Sequence, residues 1–175
     1  CEAACASGTA AVFNAYSVVR SGQADLALVV GAEKMKQIDT PTVMEMIGRA
    51  GYYMWEFENF GMTFPAYYAL HAVEHMEKFG TTEEDLAKVA VKNHRYGAMN
   101  PVAHLRQEIT VEKALNSSVI AWPLKLYDCC PISDGSAAVV LASEKKVKEL
   151  NIDDPVWIES IGFASDTANI SKREN

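Results

Sequence analysis

Glu2-Ala3-Ala4-Cys5-Ala6-Ser7-Gly8 runs straight into the Ala-rich stretch Thr9–Ser21, and after Gly22 comes Leu26-Ala27-Leu28-Val29-Val30-Gly31. Val12, Ala15, Tyr16 and Val19 recur at helical spacing, so the pattern predicts a helix over 9–21 with one apolar stripe. Gly22 stands where a helix C-cap belongs. Leu26–Gly31 is a continuous apolar run bounded by Asp25 and Gly31. That is the composition of a strand covered on both faces, as in a parallel sheet. A helix followed at once by such a strand is the second half of a βαβ unit. Its first strand would end at residues 1–4, which puts Cys5 at the strand-to-helix turn. The fold class is α/β.

The rest of the chain extends this reading. Ser136–Ser143 is a second apolar strand, introduced by the turn Ser133-Asp134-Gly135. Glu144–Leu150 reads as a short charged helix, Val156–Phe163 alternates well enough for a third strand, and 164–175 is a polar tail. Residues 32–65 mix Met44, Met46, Tyr52, Tyr53, Trp55, Phe57 and Phe60 with recurring glycines, a pattern of loops and short helices. Pro65 and Gly80 bracket a helix over 65–79. Thr81-x-x-Glu84 has the form of a capping box for the next helix. That helix carries Leu86, Val89, Ala90 and His94 on one face and ends before Asn100-Pro101. Thr110–Leu115 is a helical turn, and the chain becomes strand-like again from Val119. The helical excursion between the two α/β ends spans roughly 75–80 residues, far more than an ordinary connection. Excursions of that kind build binding sites.

Composition bounds the function. The chain has 175 residues, 16 basic and 23 acidic, for a net charge of −7, and 49% are apolar. Such a chain buries a core and is not disordered as a whole. No apolar run approaches the roughly 18–20 residues of a membrane span. With no Lys/Arg cluster, neither nucleic acid nor an anionic membrane is an expected partner. The four cysteines, Cys1, Cys5, Cys129 and Cys130, do not form a disulfide framework, and no CxxC or CxxH pair seeds a zinc site. Reduced thiols in the cytoplasm follow as the expectation. The chain opens on Cys1 with no charged n-region or apolar h-region, so its first residues read like the middle of a protein.

Cys5 is the candidate nucleophile. A thiol at the first turn of a helix faces unpaired amides and the positive end of the dipole, which favour a thiolate. The same amides can hold an oxyanion formed on an acyl carbon. Ala3, Ala4, Ala6, Ser7 and Gly8 leave room for a substrate to approach. The residues alone leave a second reading open, a packed cysteine acting as a small hydrophobe. That is the commoner fate of a free thiol, and no partner base is identifiable.

The turn Cys5-Ala6-Ser7-Gly8 resembles the nucleophile turn of thiolases, which run Cys-x-Ser/Thr-Gly into a helix. Val29-Val30-Gly31-Ala32-Glu33-Lys34-Met35 is similar to the strand and turn that follow it. His75–Thr81, Lys92-Asn93-His94 and Asn100-Pro101 look like the loop domain of the sterol-carrier-protein type and its archaeal relatives. Cys129-Cys130-Pro131-Ile132-Ser133-Asp134-Gly135-Ser136-Ala137-Ala138 resembles that subfamily's approach to the last strand of the N-terminal half. The resemblance covers essentially the whole chain.

It implies thiolase-like αβαβα layers, represented by part of the N-terminal half and the start of the C-terminal half, with a helical loop domain inserted. The corresponding boundaries are 1–40 for the nucleophile-bearing α/β part, 41–118 for the loop domain, 119–152 for the rest of that half, and 153–175 for the first strand of the second. The implied activity is acyl-CoA C-acyltransfer, forming or cleaving a 3-oxoacyl-CoA such as acetoacetyl-CoA through an acyl-cysteine at Cys5. No cofactor is implied beyond coenzyme A thioesters as substrates. Asn59-Phe60-Gly61-Met62-Thr63 and the turn at Cys130-Pro131 look like the lining of the pantetheine channel, with His94 near the substrate. The implied partners are acetyl-CoA or another acyl-CoA and further copies in a homodimer or tetramer. In archaeal relatives they include a small OB-fold/zinc acyl-CoA-binding protein and a synthase. Two alternatives stand beside this: a related condensing enzyme of the ketoacyl or hydroxymethylglutaryl-CoA synthase type, and a non-catalytic lipid- or acyl-CoA-binding subunit. The family's Gly-His-Pro histidine and second cysteine have no counterpart among these residues, so the stretch by itself is expected to be inactive.

The remaining candidates have plainer readings. His71 and His75 stand at i, i+4, a metal-holding spacing, but lack a third ligand and read as solvated or cap-adjacent. His94 is as readily a packed histidine as a substrate contact. The Met/aromatic residues of 44–62 either line an acyl pocket or fill core. Cys129-Cys130 reads as two free thiols, because a vicinal disulfide strains its backbone.

Overall fold

The computed structural model describes residues 1–172. In chain order its elements are α1 (Ser7–Arg20), β1 (Leu26–Glu33), α2 (Thr40–Gly48), α3 (Phe64–Phe79), α4 (Glu83–Met99), α5 (Val111–Leu115), β2 (Val119–Ala121), β3 (Leu124–Lys125), β4 (Gly135–Ala142) and α6 (Glu144–Glu149). Short 3-10 turns occur at Ala4–Ala6, Leu126–Asp128 and Ile170–Lys172, and a π-helical turn at Tyr53–Glu58. The chain divides into two compact units, Lys36–Ser133 and Cys1–Met35 with the described part of Asp134–Asn175. It is a mixed α/β structure.

In the α/β unit, β1 and β4 pair over their full lengths, Leu26 opposite Ala142 and Glu33 opposite Gly135. Asp25 closes one end of this ribbon, where its carbonyl accepts the Ser143 N–H at 2.9 Å and its carboxylate the Ser143 hydroxyl at 2.8 Å. Asp134 closes the other, accepting the Met35 N–H at 2.8 Å. Helix α1 packs on both strands. Its half-buried residues include Val12, Ala15, Tyr16 and Val19, the stripe expected from spacing.

Four expectations fail here. The ribbon is antiparallel, not parallel, because an apolar run specifies burial but not strand direction. It is also not covered on both faces: Ala27 and Val29 are half-buried, while Leu28 is 66% and Val30 60% exposed. Helix α1 packs against it, and in β1 a period of two reappears in burial although the sequence hides it. Among the described residues no strand ends at Cys5: Ala4–Ala6 is a 3-10 turn and residues 1–3 are not in a strand. The strand expected at Val156–Phe163 does not form either. Val156 is 96% exposed, and no neighbouring strand satisfies that backbone. Of the expected polar tail, residues 173–175 lie outside the described residues.

In the helical unit the start and stop signals are closely obeyed. Asp39 caps α2 through the Thr42 N–H at 3.1 Å. Pro65 opens α3, and Gly80 closes it in the left-handed region at φ 71°. The capping box of α4 sits one residue later than expected. Thr82 accepts from Asp85 N–H at 3.3 Å, and the Asp85 carboxylate accepts the Thr82 N–H at 3.1 Å. Thr81 is not available, because its hydroxyl bonds His75 Nδ1 at 2.8 Å. The buried face of α4 is also rotated from the expected one. Ala87 and Ala90 form the core with Ile109 and Ala114, packed by Val91, Val111, Leu115 and Tyr127. Leu86 and Val89 line a pocket instead.

Candidate active site

Cys5 lies within the 3-10 turn that feeds α1, and its side chain is exposed. Among the described residues none buries it as a small hydrophobe. The residue before it, Ala4, has φ 49°, a conformation that costs a residue with a Cβ about 1 kcal/mol or more and persists where the surroundings hold it. Glu2 and Ser7 are what hold it. Glu2 Oε1 accepts the Ala4 N–H at 2.8 Å, and Ser7 Oγ accepts the Ala3 N–H at 2.8 Å. The Ser7 hydroxyl lies 2.7 Å from the Ala4 carbonyl and 3.0 Å from Glu2 Oε1, either of which takes its proton. The Ala4 amide first, and Ser7 second, keep the Glu2 carboxyl below the usual carboxylate range. Sequence reasoning missed Glu2 altogether and saw Ser7 only as small. The signal was there: a Ser two residues after the thiol is one that can brace the turn.

Helix α1 has no side-chain N-cap and no acid in its first turn. No side chain caps its amides directly, but the Glu2 carboxylate already stands at this end, 3.0 Å from the Ser7 hydroxyl, beside the exposed thiol.

The helical unit holds a pocket of about 380 Å³ between α4, the turn Leu126–Asp128 and residues 129–131. It brings together three of the expected binding residues, His94, Cys130 and Pro131, beside Asn93 and Leu105. Met62 does not line it; its N–H donates to the Glu56 carbonyl at 3.0 Å. His94 Nδ1 lies 3.0 Å from the Gln107 carbonyl, which accepts its proton. The ring stands edge-on to Tyr127 at 5.4 Å. All four cysteines are free. Burial first, then the Asp128 carboxylate and Cys130, push the Cys129 thiol up.

The other candidates separate from any site. His71 stacks edge-on to Tyr67 at 5.2 Å, His75 bonds Thr81, and His104 bonds the Ser133 hydroxyl. No group of three or more His, Cys, Asp or Glu side chains is placed to hold a metal among the described residues. The aromatics of 44–62 are not a core: Met46, Met54, Trp55 and Phe60 are exposed, and Phe57 packs on Gly48. No described helix is long and apolar enough to cross a membrane.

Residues 1–145 match the family described as thiolase, N-terminal domain. The chain belongs to the thiolase family. Among its relatives is an acetyl-CoA acetyltransferase of Methanothermobacter thermautotrophicus, 41% identical over 174 residues, covering 99% of this chain and 44% of that protein. Sterol carrier protein 2 of Bos taurus is 33% identical over 156 residues, covering 85% of this chain and 28% of that protein. A solved structure titled Ltp2-ChsH2(DUF35) aldolase superposes with a TM-score of 0.67 at 31% identity, over 81% of this chain and 36% of that one. This thiolase chain thus spans less than half the length of the curated relatives it matches. The subfamily resemblance seen in the sequence holds, since both an archaeal acetyltransferase and a sterol carrier protein are among its relatives.

Proposed function

We propose that Cys5 is the nucleophile of an acyl-CoA C-acyltransferase acting on acetyl-CoA and acetoacetyl-CoA. The observation that carries this is an exposed thiol on a braced, left-handed turn at the uncapped start of α1. The deprotonated sulfur adds to the thioester carbonyl carbon, and backbone N–H groups of the turn meet the oxyanion. Collapse breaks the bond to the coenzyme A sulfur, which leaves with a proton, and an acyl-cysteine remains. Condensation with a second acyl-CoA then needs a base for its α-proton. The base and the enolate-holding groups are assigned to the part of the longer relatives that this chain does not span. The pocket of His94, Cys130 and Pro131 is assigned to the pantetheine arm. Its apolar walls take methylenes, and Asn93 and His94 meet amides. Met62 is retained as a substrate contact on the resemblance alone.

A cytoplasmic location and a homodimer or tetramer are proposed on the family resemblance alone. The aldolase title, which joins Ltp2 to ChsH2(DUF35), supports an accessory subunit, and its OB-fold/zinc type is proposed on the resemblance alone. That title also favours a second reading, in which the same fold breaks a carbon–carbon bond without an acyl-cysteine. The Cys5→Ala variant of the full-length protein separates the two. Acyl transfer predicts an acetyl adduct on Cys5 after exposure to acetyl-CoA, and loss of adduct and turnover in the variant. Full turnover by Cys5→Ala would overturn the assignment.

A further inference from the structure

Of the four backbone amides from Ala3 to Ala6, three are already taken. Ala3 N–H donates to Ser7 Oγ and Ala4 N–H to Glu2 Oε1, each at 2.8 Å, and Ala6 N–H donates to the Ala3 carbonyl at 3.0 Å. Among the described residues the Cys5 N–H has no hydrogen-bond partner. We propose that Glu2 is a positioning residue for acyl transfer: acting through Ala4 and Ser7, it holds the Ala4–Cys5 peptide so that the Cys5 N–H stays turned outward to meet the oxyanion. This role rests on the reading of Cys5 as the acyl-carrying thiol.

The orientation follows from the planarity of the peptide. In a trans peptide the C=O and the next N–H point in opposite directions. The Ala4 carbonyl is turned in toward Ser7, where it accepts the Ser7 N–H and lies 2.7 Å from the Ser7 hydroxyl. The Cys5 N–H, on the other side of the same peptide, is therefore turned away from Ser7. Ala4 keeps this arrangement at φ 49°, in the left-handed region that a residue with a Cβ leaves when nothing holds it. Glu2 Oε1 holds it through the Ala4 N–H, and the Ser7 hydroxyl, 3.0 Å from the same oxygen, ties the two braces together.

Glu2 acts here as an acceptor and not through its charge. The Ala4 N–H first, and Ser7 next, hold its carboxyl below the usual range, so at neutral pH it is a carboxylate. A negative charge beside a developing oxyanion opposes it. What favours the reaction is the fixed amide. A side-chain amide oxygen in the same place accepts the Ala4 N–H equally well and carries no charge.

The test uses the full-length protein and two reactions of Cys5: acetylation by saturating acetyl-CoA in a single turnover, and alkylation by iodoacetamide. Peptide mass mapping follows both. Alkylation forms no oxyanion, so the ratio of the two rates reads the amide apart from the reactivity of the thiol and from folding. In Glu2→Ala the ratio should fall about 10- to 100-fold, short of the roughly 10²–10³-fold that loss of a whole oxyanion donor costs. In Glu2→Gln it should stay at or above the native value. Ser7→Ala added to Glu2→Ala should lower it by less than Ser7→Ala does alone, because both side chains act on one peptide. A native ratio in Glu2→Ala, or a Glu2→Gln ratio as low as that of Glu2→Ala, would overturn the role of Glu2 and leave Cys5 as the acyl carrier. Absence of any acetyl adduct on Cys5 in the native protein would overturn both.

Discussion

Replacing Lys125 by Met tests whether one half-buried ion pair ties three elements of the helical unit. The Lys125 side chain is 14% exposed, and its ammonium pairs with the Glu83 carboxylate and donates to the Leu115 carbonyl at 2.7 Å. Glu83 is the first residue of α4, and its other oxygen accepts the Trp122 indole N–H at 3.2 Å. Met keeps the apolar stem and removes the charge. Glu83 would then keep Trp122 and water, while the Leu115 carbonyl loses this donor. Breaking a fully buried pair costs about 3–5 kcal/mol, and a lost hydrogen bond to a charged group about 1.5–3 kcal/mol. Because Glu83 is itself 35% exposed, solvent recovers part of this, and about 2 kcal/mol is expected. In urea, where m is about 1–3 kcal/mol/M for small proteins, the midpoint should fall by about 1 M at unchanged m. The pH dependence separates the ion pair from mere packing. Lys125 first, and Trp122 next, hold the Glu83 carboxyl below its ordinary value. A group depressed on folding contributes stability above its unfolded pKa, and that stability disappears as pH falls through the folded value. The gap between native and variant should therefore be full at pH 7 and close below about pH 4. A gap under about 0.5 kcal/mol at pH 7, the range of ordinary surface changes, would refute the reasoning. So would a gap unchanged between neutral and acid pH.

Two further changes probe the helical unit. A Cβ on Gly48 would fall 2.5 Å from the Phe57 ring, which stacks on Tyr53 at 5.6 Å. Gly48→Ala should cost about 1–3 kcal/mol in thermal or urea unfolding, and the added change Phe57→Leu should recover part of it. Thr82→Ala should cost about 1 kcal/mol through loss of the α4 cap. An equal or larger loss for Thr81→Ala would show that the cap lies in the frame read from the sequence.

Local signals were legible and pairing was not. Pro65, Gly80, Thr110 and the stripe of α1 each act through neighbours a few residues away, so spacing along the chain reports them. The direction of β1 against β4 depends on a partner more than 100 residues distant, and an apolar run reads the same either way. Val156–Phe163 shows the converse, alternation without a partner and therefore no strand. The one-residue slip of the α4 cap has a comparable cause. Thr81 and Thr82 are equivalent by type, and only His75, from the preceding helix, takes one of them out of contention. For the site, the sequence located Cys5 and the grouping of His94 with Cys130 and Pro131 as candidates. It did not reveal the Glu2–Ser7 brace or the left-handed Ala4, because both are properties of the folded turn.

The two thiol-bearing turns make the same point chemically. Ala4–Ala6 holds Cys5 and Leu126–Asp128 leads directly into Cys129, both short 3-10 turns built from a few residues. Ala4 before Cys5 is left-handed and Cys129 is extended, but a 3-10 turn as such does not distinguish a nucleophile from a bystander. The surroundings do. Cys5 is exposed beside a helix end with no cap and no acid in its first turn. Cys129 is half-buried, next to the Asp128 carboxylate, and is pushed toward the protonated form. An attacking sulfur needs access and a place for the charge that develops on its target. The turn at Cys5 leaves its thiol accessible and the turn at Cys129 half-buries its own, and the proposal that Cys5 carries acyl transfer rests on that contrast.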